Sequence, residues 1–95
     1  MKYFNWDEEK NSELIKNRNL SFEEIVYWII NDGLIDIIEH YNKEKYPNQE
    51  IFVVNIENYI YLVPFVEDDK TIFLKTIIPS RKMTKKYIEG ISDYE

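Results

Sequence analysis

The spacing of apolar residues changes at one point in this chain, and that change constrains the fold more than any other feature. Before Gly33, apolar side chains recur at helical intervals, and after it they alternate with a period of two through most of the segments that follow. Helices first and strands afterwards predict an α+β domain, with helices mainly on one face of an antiparallel sheet. At 95 residues we expect a single domain over 1–95.

Two helices are predicted before Gly33. Asp7 is suited to cap the first helix, which we expect to run to about position 17 with Leu14 on its buried side. Ser21 and Glu24 form a capping box at the start of the second helix, whose apolar residues follow at helical spacing. Gly33 is expected to end this helix in the left-handed conformation.

Strands are predicted at 2–6, 34–39, 50–57, 59–66 and 71–78, followed by a short helix over 81–89 and a flexible tail over 90–95. The expected sheet therefore has four to five antiparallel strands, with two N-terminal helices and a short C-terminal helix. Strand parity assigns to the face beneath the helices Phe52, Val54, Ile56, Ile60, Leu62, Ile72, Leu74 and Ile78. The opposite face is expected to carry Asn55, Tyr59, Tyr61, Phe65, Phe73 and Lys75.

Tyr61 on that opposite face is a candidate for stacking with RNA bases, because bases stack well on tyrosine and phenylalanine rings. A second core layer or a protein-binding surface explains the same aromatic residues equally well, since tyrosine is common on half-exposed strands.

The net charge of −6 is unevenly distributed along the chain. Six of the twelve basic residues fall in a stretch without any acidic residue: Lys70, Lys75, Arg81, Lys82, Lys85 and Lys86. Because local potential decides where a polyanion binds, this stretch predicts an RNA-binding surface that includes Lys82, Lys85 and Lys86. A basic helix that is simply solvated or ion-paired is the alternative.

Several kinds of site are excluded by composition. The chain has no cysteine and one histidine, which rules out disulfides, thiolate metal sites and histidine-rich metal sites. It also has no glycine-rich phosphate loop and no cluster with metal-ligand spacing, so we expect neither a metal nor another cofactor. The polar start and the absence of a long apolar run predict a cytoplasmic protein with no membrane segment.

His40, Lys75 and Arg81 are the candidate catalytic residues. Histidine is the commonest general acid or base in enzymes, and a structural role for this single histidine is the alternative. Arg81 begins a predicted helix, where it can bind a phosphate through two hydrogen bonds, and Lys75 lies on the strand before it. A base, an acid and cations around the phosphate suffice for metal-free RNA cleavage with the 2′-hydroxyl as nucleophile.

Three short segments carry a family resemblance: FNWDEEKN at 4–11, SFEE at 21–24 and IIPSRKMT at 77–84. The first two are similar to an F-x-W-D-x-x-K motif followed by S-F-E-E, and the third to an I-I-S-A-R-x-A-T-like element. In this order they resemble the BrnT family of ribonuclease toxins from bacterial toxin–antitoxin pairs. The resemblance covers about residues 3–88, and NRN at 17–19 stands where the family has K-H-G.

The resemblance implies a RelE-like fold, metal-free RNA cleavage and inhibition by a cognate antitoxin, usually of ribbon-helix-helix type. It also implies that toxin and antitoxin together repress their operon and that the toxin oligomerises only through the antitoxin. Arg81 matches the active-site arginine of the family, and Lys10 matches the motif lysine and becomes a candidate RNA contact. The alternatives are a catalytically silent co-repressor partner of the antitoxin and a small protein-interaction module.

Overall fold

The computed structural model describes residues 2–90, and the order of their elements confirms the α+β class. In chain order these are β1 (Tyr3–Trp6), α1 (Glu8–Arg18), α2 (Phe22–Ile30), β2 (Leu34–Glu39), β3 (Glu50–Ile56), β4 (Tyr59–Glu67), β5 (Thr71–Leu74), β6 (Ile78–Pro79) and α3 (Arg81–Thr84), which continues as a π-helical turn, Lys85–Glu89. None of these helices has the length and apolarity required to cross a membrane. The predicted tail lies outside the described residues, apart from Gly90.

The strands of the described chain form one mixed sheet with the order β1-β5-β4-β3-β2, and β6 also pairs with β4. Neighbours from β2 to β5 are antiparallel. β1 is parallel to β5, with Tyr3 opposite Thr71 and Trp6 opposite Leu74. The five strands of this order agree with the predicted four to five, and β6 is additional. The prediction that all strands are antiparallel is wrong for β1, because alternation within one strand carries no information about the direction of its neighbour.

The strand predicted over 71–78 is interrupted in its middle. β5 ends at Leu74, and the amide of Lys75 still donates to the carbonyl of Pro64 at 2.8 Å. Thr76 and Ile77 lie outside the ladder, and Ile77 is fully buried in the core. The chain rejoins β4 as β6, so the segment 75–77 brings Lys75 and Thr76 to the surface at the interruption.

The turn between β3 and β4 decides which side chains share a face. Its two residues, Glu57 and Asn58, both have positive φ, 51° and 68°, and the register places Val54 opposite Tyr61. Because opposed residues project to the same side, Tyr61 lies on the face of Val54. The predicted faces are therefore wrong for six residues: Tyr59, Tyr61 and Phe65 belong beneath α1 and α2, and Ile60, Leu62 and Ile78 belong to the other face.

Both faces of the sheet are covered, which corrects the prediction of helices mainly on one face. The first core lies under α1 and α2 and contains Leu14, Phe22, Ile25, Phe52, Val54, Val63, Phe65, Leu74 and Ile77. The second core lies under the C-terminal helical segment, which contributes Met83, Tyr87 and Ile88 over Ile51, Val53, Ile60 and Leu62. One sheet therefore separates two cores.

Helix ends follow the predicted signals at the N-termini. The Asp7 carboxylate accepts hydrogen bonds from the amides of Glu9 and Lys10, and the Ser21 hydroxyl accepts one from the amide of Glu24 at 3.1 Å. These bonds satisfy amides that the first turn of a helix leaves without partners. The caps at Asp7 and Ser21 are confirmed, but the capping box is only half formed, because the Glu24 carboxylate accepts from the Ser21 hydroxyl at 3.3 Å and not from a backbone amide.

Gly33 does not adopt the left-handed conformation predicted for it. Asp32 does so instead, with a φ of 68°, after α2 ends at Ile30. Gly33 is buried, and a Cβ atom there would lie 2.6 Å from the carbonyl oxygen of Trp28. Glycine is thus required at this position for a close approach between backbone segments.

Candidate functional site

A cleft of about 260 Å³ opens where β2 ends, beside the segment 75–77. We call it the His40 cleft. Its lining brings together two of the predicted catalytic residues, His40 and Lys75, and contains no carboxylate: His40, Tyr41, Tyr46, Gln49, Pro64, Lys75, Thr76 and Ile78. Such a lining favours an anionic ligand, because it carries positive charge without a competing acidic side chain.

His40 is held in a defined orientation. It is 6% exposed, and its ring centre lies 4.5 Å from that of Tyr41 and 4.6 Å from that of Tyr46. The amide of Asn42 donates to Nδ1 at 3.0 Å, so Nδ1 carries no proton and the ring proton lies on Nε2. Trp6 Nε1 is the one buried side-chain nitrogen or oxygen atom of residues 2–90 that has no hydrogen-bond partner, so Nε2 of His40 keeps some contact with solvent.

This tautomer makes His40 a hydrogen-bond donor and not a proton-transfer group. Accepting a proton on Nε2 requires a proton on Nδ1, and that nitrogen already faces the amide of Asn42. Releasing the Nε2 proton would leave an imidazolate anion. A solvent-accessible N–H group on a residue that lines the cleft can instead hold an anionic oxygen such as that of a phosphate.

Lys75 provides the positive charge of the His40 cleft. Its side chain is exposed, and its ammonium nitrogen lies 5.3 Å from the centre of the Phe73 ring. The salt bridges of residues 2–90 join Lys2 to Glu67 and Lys43 to Glu39, so Lys75 is in neither of them. The ring orients the ammonium group without neutralising it, which leaves the charge available to an anion.

A second cleft, of about 170 Å³, adjoins the first one at Thr76. It is lined by Lys10, Glu13, Leu14, Asn17, Arg18 and Thr76. Arg18 Nη1 donates to the carbonyl of Ile77 at 3.4 Å, which anchors the guanidinium beside the segment 75–77. Two clefts therefore meet at Thr76, with Lys10 and Arg18 on one side and Lys75 on the other.

Arg18 is a candidate that sequence reasoning missed. The one sequence signal for Arg18 is that NRN at 17–19 stands where the family that the chain resembles has K-H-G. Lys10, in contrast, was predicted as an RNA contact and does line a cleft, half-buried on α1. The contact of Arg18 with Ile77 depends on tertiary structure, because the two residues are far apart in the sequence.

Arg81 is not brought into either cleft. It is exposed at the start of α3, and the preceding Ser80 amide donates to the carbonyl of Ile60 at 2.9 Å. The amide of Lys75 instead donates to the carbonyl of Pro64, which lies four residues after Ile60 on β4. With a rise of about 3.4 Å per residue, the two backbone attachments are roughly 14 Å apart. The structure thus gathers His40 and Lys75 but separates Arg81 from them.

The other predicted basic contacts lie on the C-terminal helical segment. Lys82, Lys85 and Lys86 are all exposed, and the ammonium nitrogen of Lys86 lies 5.4 Å from the Tyr87 ring centre. The predicted basic stretch is therefore divided among the turn before β5, which holds Lys70, the His40 cleft and the outer surface of this segment.

Tyr61 lies in different surroundings from those predicted. It is half-buried against the first core, with its ring centre 5.5 Å from that of Tyr59. Burial raises the pKa of its hydroxyl, and nearby Tyr59, Glu24 and Glu57 raise the pKa further. Negative charge at this location is unfavourable to an RNA backbone.

No three histidine, aspartate or glutamate side chains within residues 2–90 are grouped as a metal ion requires. Comparison with protein families, with curated proteins and with solved structures found no match for this chain.

Proposed function

We propose that this protein is a metal-independent ribonuclease toxin of the BrnT type, with a RelE-like fold and a cognate ribbon-helix-helix antitoxin as its inhibitor. Its proposed place of action is the cytoplasm, where its RNA substrate is found. The observation that carries the proposal is the His40 cleft, which joins Lys75 and an accessible histidine N–H without any carboxylate. Lys10 and Arg18 in the adjoining cleft outnumber its one carboxylate, Glu13, and extend the cationic surface along a single strand of RNA.

The residues of the His40 cleft are suited to stabilising charge on a phosphodiester. The Lys75 ammonium and the His40 Nε2–H can each contact a non-bridging oxygen while the RNA 2′-oxygen attacks phosphorus. The P–O5′ bond then breaks, leaving a 2′,3′-cyclic phosphate and a 5′-hydroxyl. In this scheme water takes the 2′ proton and supplies the 5′ proton, and one preorganised donor contributes roughly 100- to 1,000-fold in rate.

The second candidate is a catalytically silent family member that acts as a co-repressor with the antitoxin. Two observations favour it: Nδ1 of His40 is occupied by the Asn42 amide, and Arg81 lies away from the His40 cleft. The first leaves the cleft without an evident general base, and the second leaves it without the guanidinium expected to stabilise the reacting phosphate. This candidate retains phosphate binding but lacks cleavage.

Incubation of the purified protein with an end-labelled single-stranded RNA in the presence of EDTA tests the proposal. We expect cleavage to fragments ending in a cyclic phosphate, and Lys75→Gln to lower the rate about a hundredfold. Lys70→Gln is the matched control, because Lys70 belongs to the same basic stretch but lines neither cleft. Wild-type cleavage by Lys75→Gln refutes the assignment, and RNA binding without cleavage supports the silent candidate.

The variant Arg81→Ala distinguishes an active site at Arg81, which the family resemblance implies, from an active site in the His40 cleft. If Arg81 contacts the reacting phosphate, its loss lowers the rate about a hundredfold, roughly 3 kcal/mol of transition-state stabilisation. If the His40 cleft is the site, Arg81→Ala cleaves at nearly the wild-type rate. Both variants change exposed side chains, so circular dichroism should confirm unchanged folding.

A further inference from the structure

One segment of the chain combines acidic charge with a complete absence of basic residues. Positions 19–42 contain no lysine or arginine, although the chain has twelve, and they include Glu23, Glu24, Asp32, Asp36 and Glu39. This segment forms α2 and β2, and β2 is an outer strand of the sheet. Because no lysine or arginine within the segment offsets them, these five carboxylates give it a local charge of −5, and within residues 2–90 only Glu39 of the five is ion-paired, with Lys43 just beyond the segment.

The same segment exposes large apolar side chains. Tyr27 and Ile30 on α2 are 59% and 69% exposed, and Ile35 and Ile37 on β2 are 41% and 47% exposed. Tyr27 and Ile30 are three positions apart and so lie on one side of the helix. Single exposed apolar residues are ordinary, but four within one short helix–strand unit indicate an interaction surface.

The outer edge of β2 is poorly suited to adding another strand. Its register with β3 shifts between Leu34 and Asp36, and Asp36 Oδ1 accepts a hydrogen bond from the amide of Ile37 at 2.8 Å. The other carboxylate oxygen, Oδ2, accepts one from the Tyr87 hydroxyl at 2.9 Å, which fixes the side chain in this position. A bulge and an amide bonded to its own strand are features that protect a sheet edge from pairing.

We propose that α2 and β2 form a docking surface for an amphipathic helix of a basic partner polypeptide. Its apolar side chains, spaced at i, i+3 or i+4 and i+7, would cover Tyr27, Ile30, Ile35 and Ile37. Its flanking lysines or arginines would meet the exposed carboxylates of Glu23, Glu24 and Asp32, since Glu39 is paired with Lys43 and Asp36 is bonded to Tyr87. A second copy of this chain is a poor occupant, because it would bring two sets of the same carboxylates together. RNA is excluded for the same electrostatic reason.

This surface is independent of the proposed ribonuclease. None of its four apolar residues lines either of the clefts at Thr76. Changes to α2 or β2 are therefore expected to alter partner binding while leaving RNA cleavage at the wild-type rate.

Binding of a fluorescein-labelled helical peptide of leucine and lysine to the full chain, followed by fluorescence anisotropy, tests the proposal. We expect saturable binding, weakened about tenfold by Ile30→Ser and similarly by Ile37→Ser, because each change removes apolar surface from the contact. Ile15→Ser is the matched control, since Ile15 is 50% exposed but lies on α1 between Glu13 and Lys16, outside the acidic segment. Substituting glutamate for the lysines of the peptide is expected to abolish binding.

Four results would overturn the proposal. These are absence of saturable binding, equal weakening by Ile15→Ser, equal binding of the glutamate peptide, and a dimer of the free chain that Ile30→Ser dissociates. The dimer would identify a second copy as the occupant of this face. Circular dichroism on each variant establishes that a weakened affinity reflects the changed surface and not loss of folding. If one of the two apolar variants does not fold, the other still tests the proposal.

Discussion

The substitution Thr84→Val removes one buried oxygen while nearly preserving side-chain shape. Thr84 is 6% exposed, and its hydroxyl accepts a hydrogen bond from the amide of Ile60 at 2.8 Å. It also donates to the carbonyl of Ser80 at 2.7 Å, but that carbonyl keeps the amide of Thr84 as a second donor. The substitution therefore leaves one buried group, the amide of Ile60 on β4, without a partner.

The magnitude follows from that single unpaired amide. A buried donor without an acceptor costs about 1–3 kcal/mol, and replacing the hydroxyl by a methyl group returns up to about 1 kcal/mol. The expected net loss is about 1–2 kcal/mol in the free energy of unfolding. For a chain of this size each kcal/mol corresponds to about 4–8 °C, so Tm should fall by roughly 4–16 °C.

Thermal melting followed by circular dichroism measures this loss. Thr76→Val is the matched control, because Thr76 is half-exposed and its hydroxyl has no hydrogen bond within residues 2–90. Its expected change is within about 0.5 kcal/mol. Equal melting temperatures for Thr84→Val and the wild type, with unchanged hydrogen exchange at the amide of Ile60, would refute the reasoning.

Three further predictions concern a cap, a titrating group and the basic helix. Ser21→Ala should cost about 1 kcal/mol in urea unfolding, because the amide of Glu24 loses its acceptor; an unchanged midpoint contradicts this. Hydrogen bonds from the amides of Lys70 and Thr71 hold the pKa of Asp68 below its ordinary value, so its contribution to stability is present above pH about 4 and is lost as pH falls through the lowered pKa. Asp68→Asn should flatten the pH dependence of Tm in that acidic range, and an identical profile would contradict the role of these bonds. Replacing Lys82, Lys85 and Lys86 together by Gln should reduce the slope of log K against log salt for RNA binding by up to about 2 units, whereas an unchanged slope places RNA elsewhere.

Local signals in the sequence predicted the helices well. The caps at Asp7 and Ser21 depend on a side chain and amides two or three residues away, so the relevant contacts are contained in the local sequence. The faces of β4 were predicted wrongly because they depend on the exact number of residues in the turn. The predicted strands 50–57 and 59–66 leave one residue, Asn58, between them, but only a turn of two residues brings Tyr61 to the face of Val54.

The candidate site could be predicted only in part. His40 and Lys75 were chosen for their chemistry, but their common cleft depends on β5 ending at Leu74 and on His40 following β2 directly. The proton on Nε2 depends on one bond from the Asn42 amide, which residue type alone does not indicate. Arg18 contacts Ile77, which is 59 positions away in the sequence, and a local sequence pattern cannot predict a contact between residues so far apart.

The parallel pairing of β1 with β5 also has a consequence for the order of folding. Tyr3 and Thr71 are register partners 68 positions apart, so their pairing closes a long loop and is expected to follow the formation of the local hairpins. During synthesis β1 emerges first and has no partner until β5 has been made. Because Phe4 and Trp6 pack against the first core, their side chains stay exposed during that interval. The clefts at Thr76 need the residues that follow β5, so they form only after nearly the whole described chain has left the ribosome.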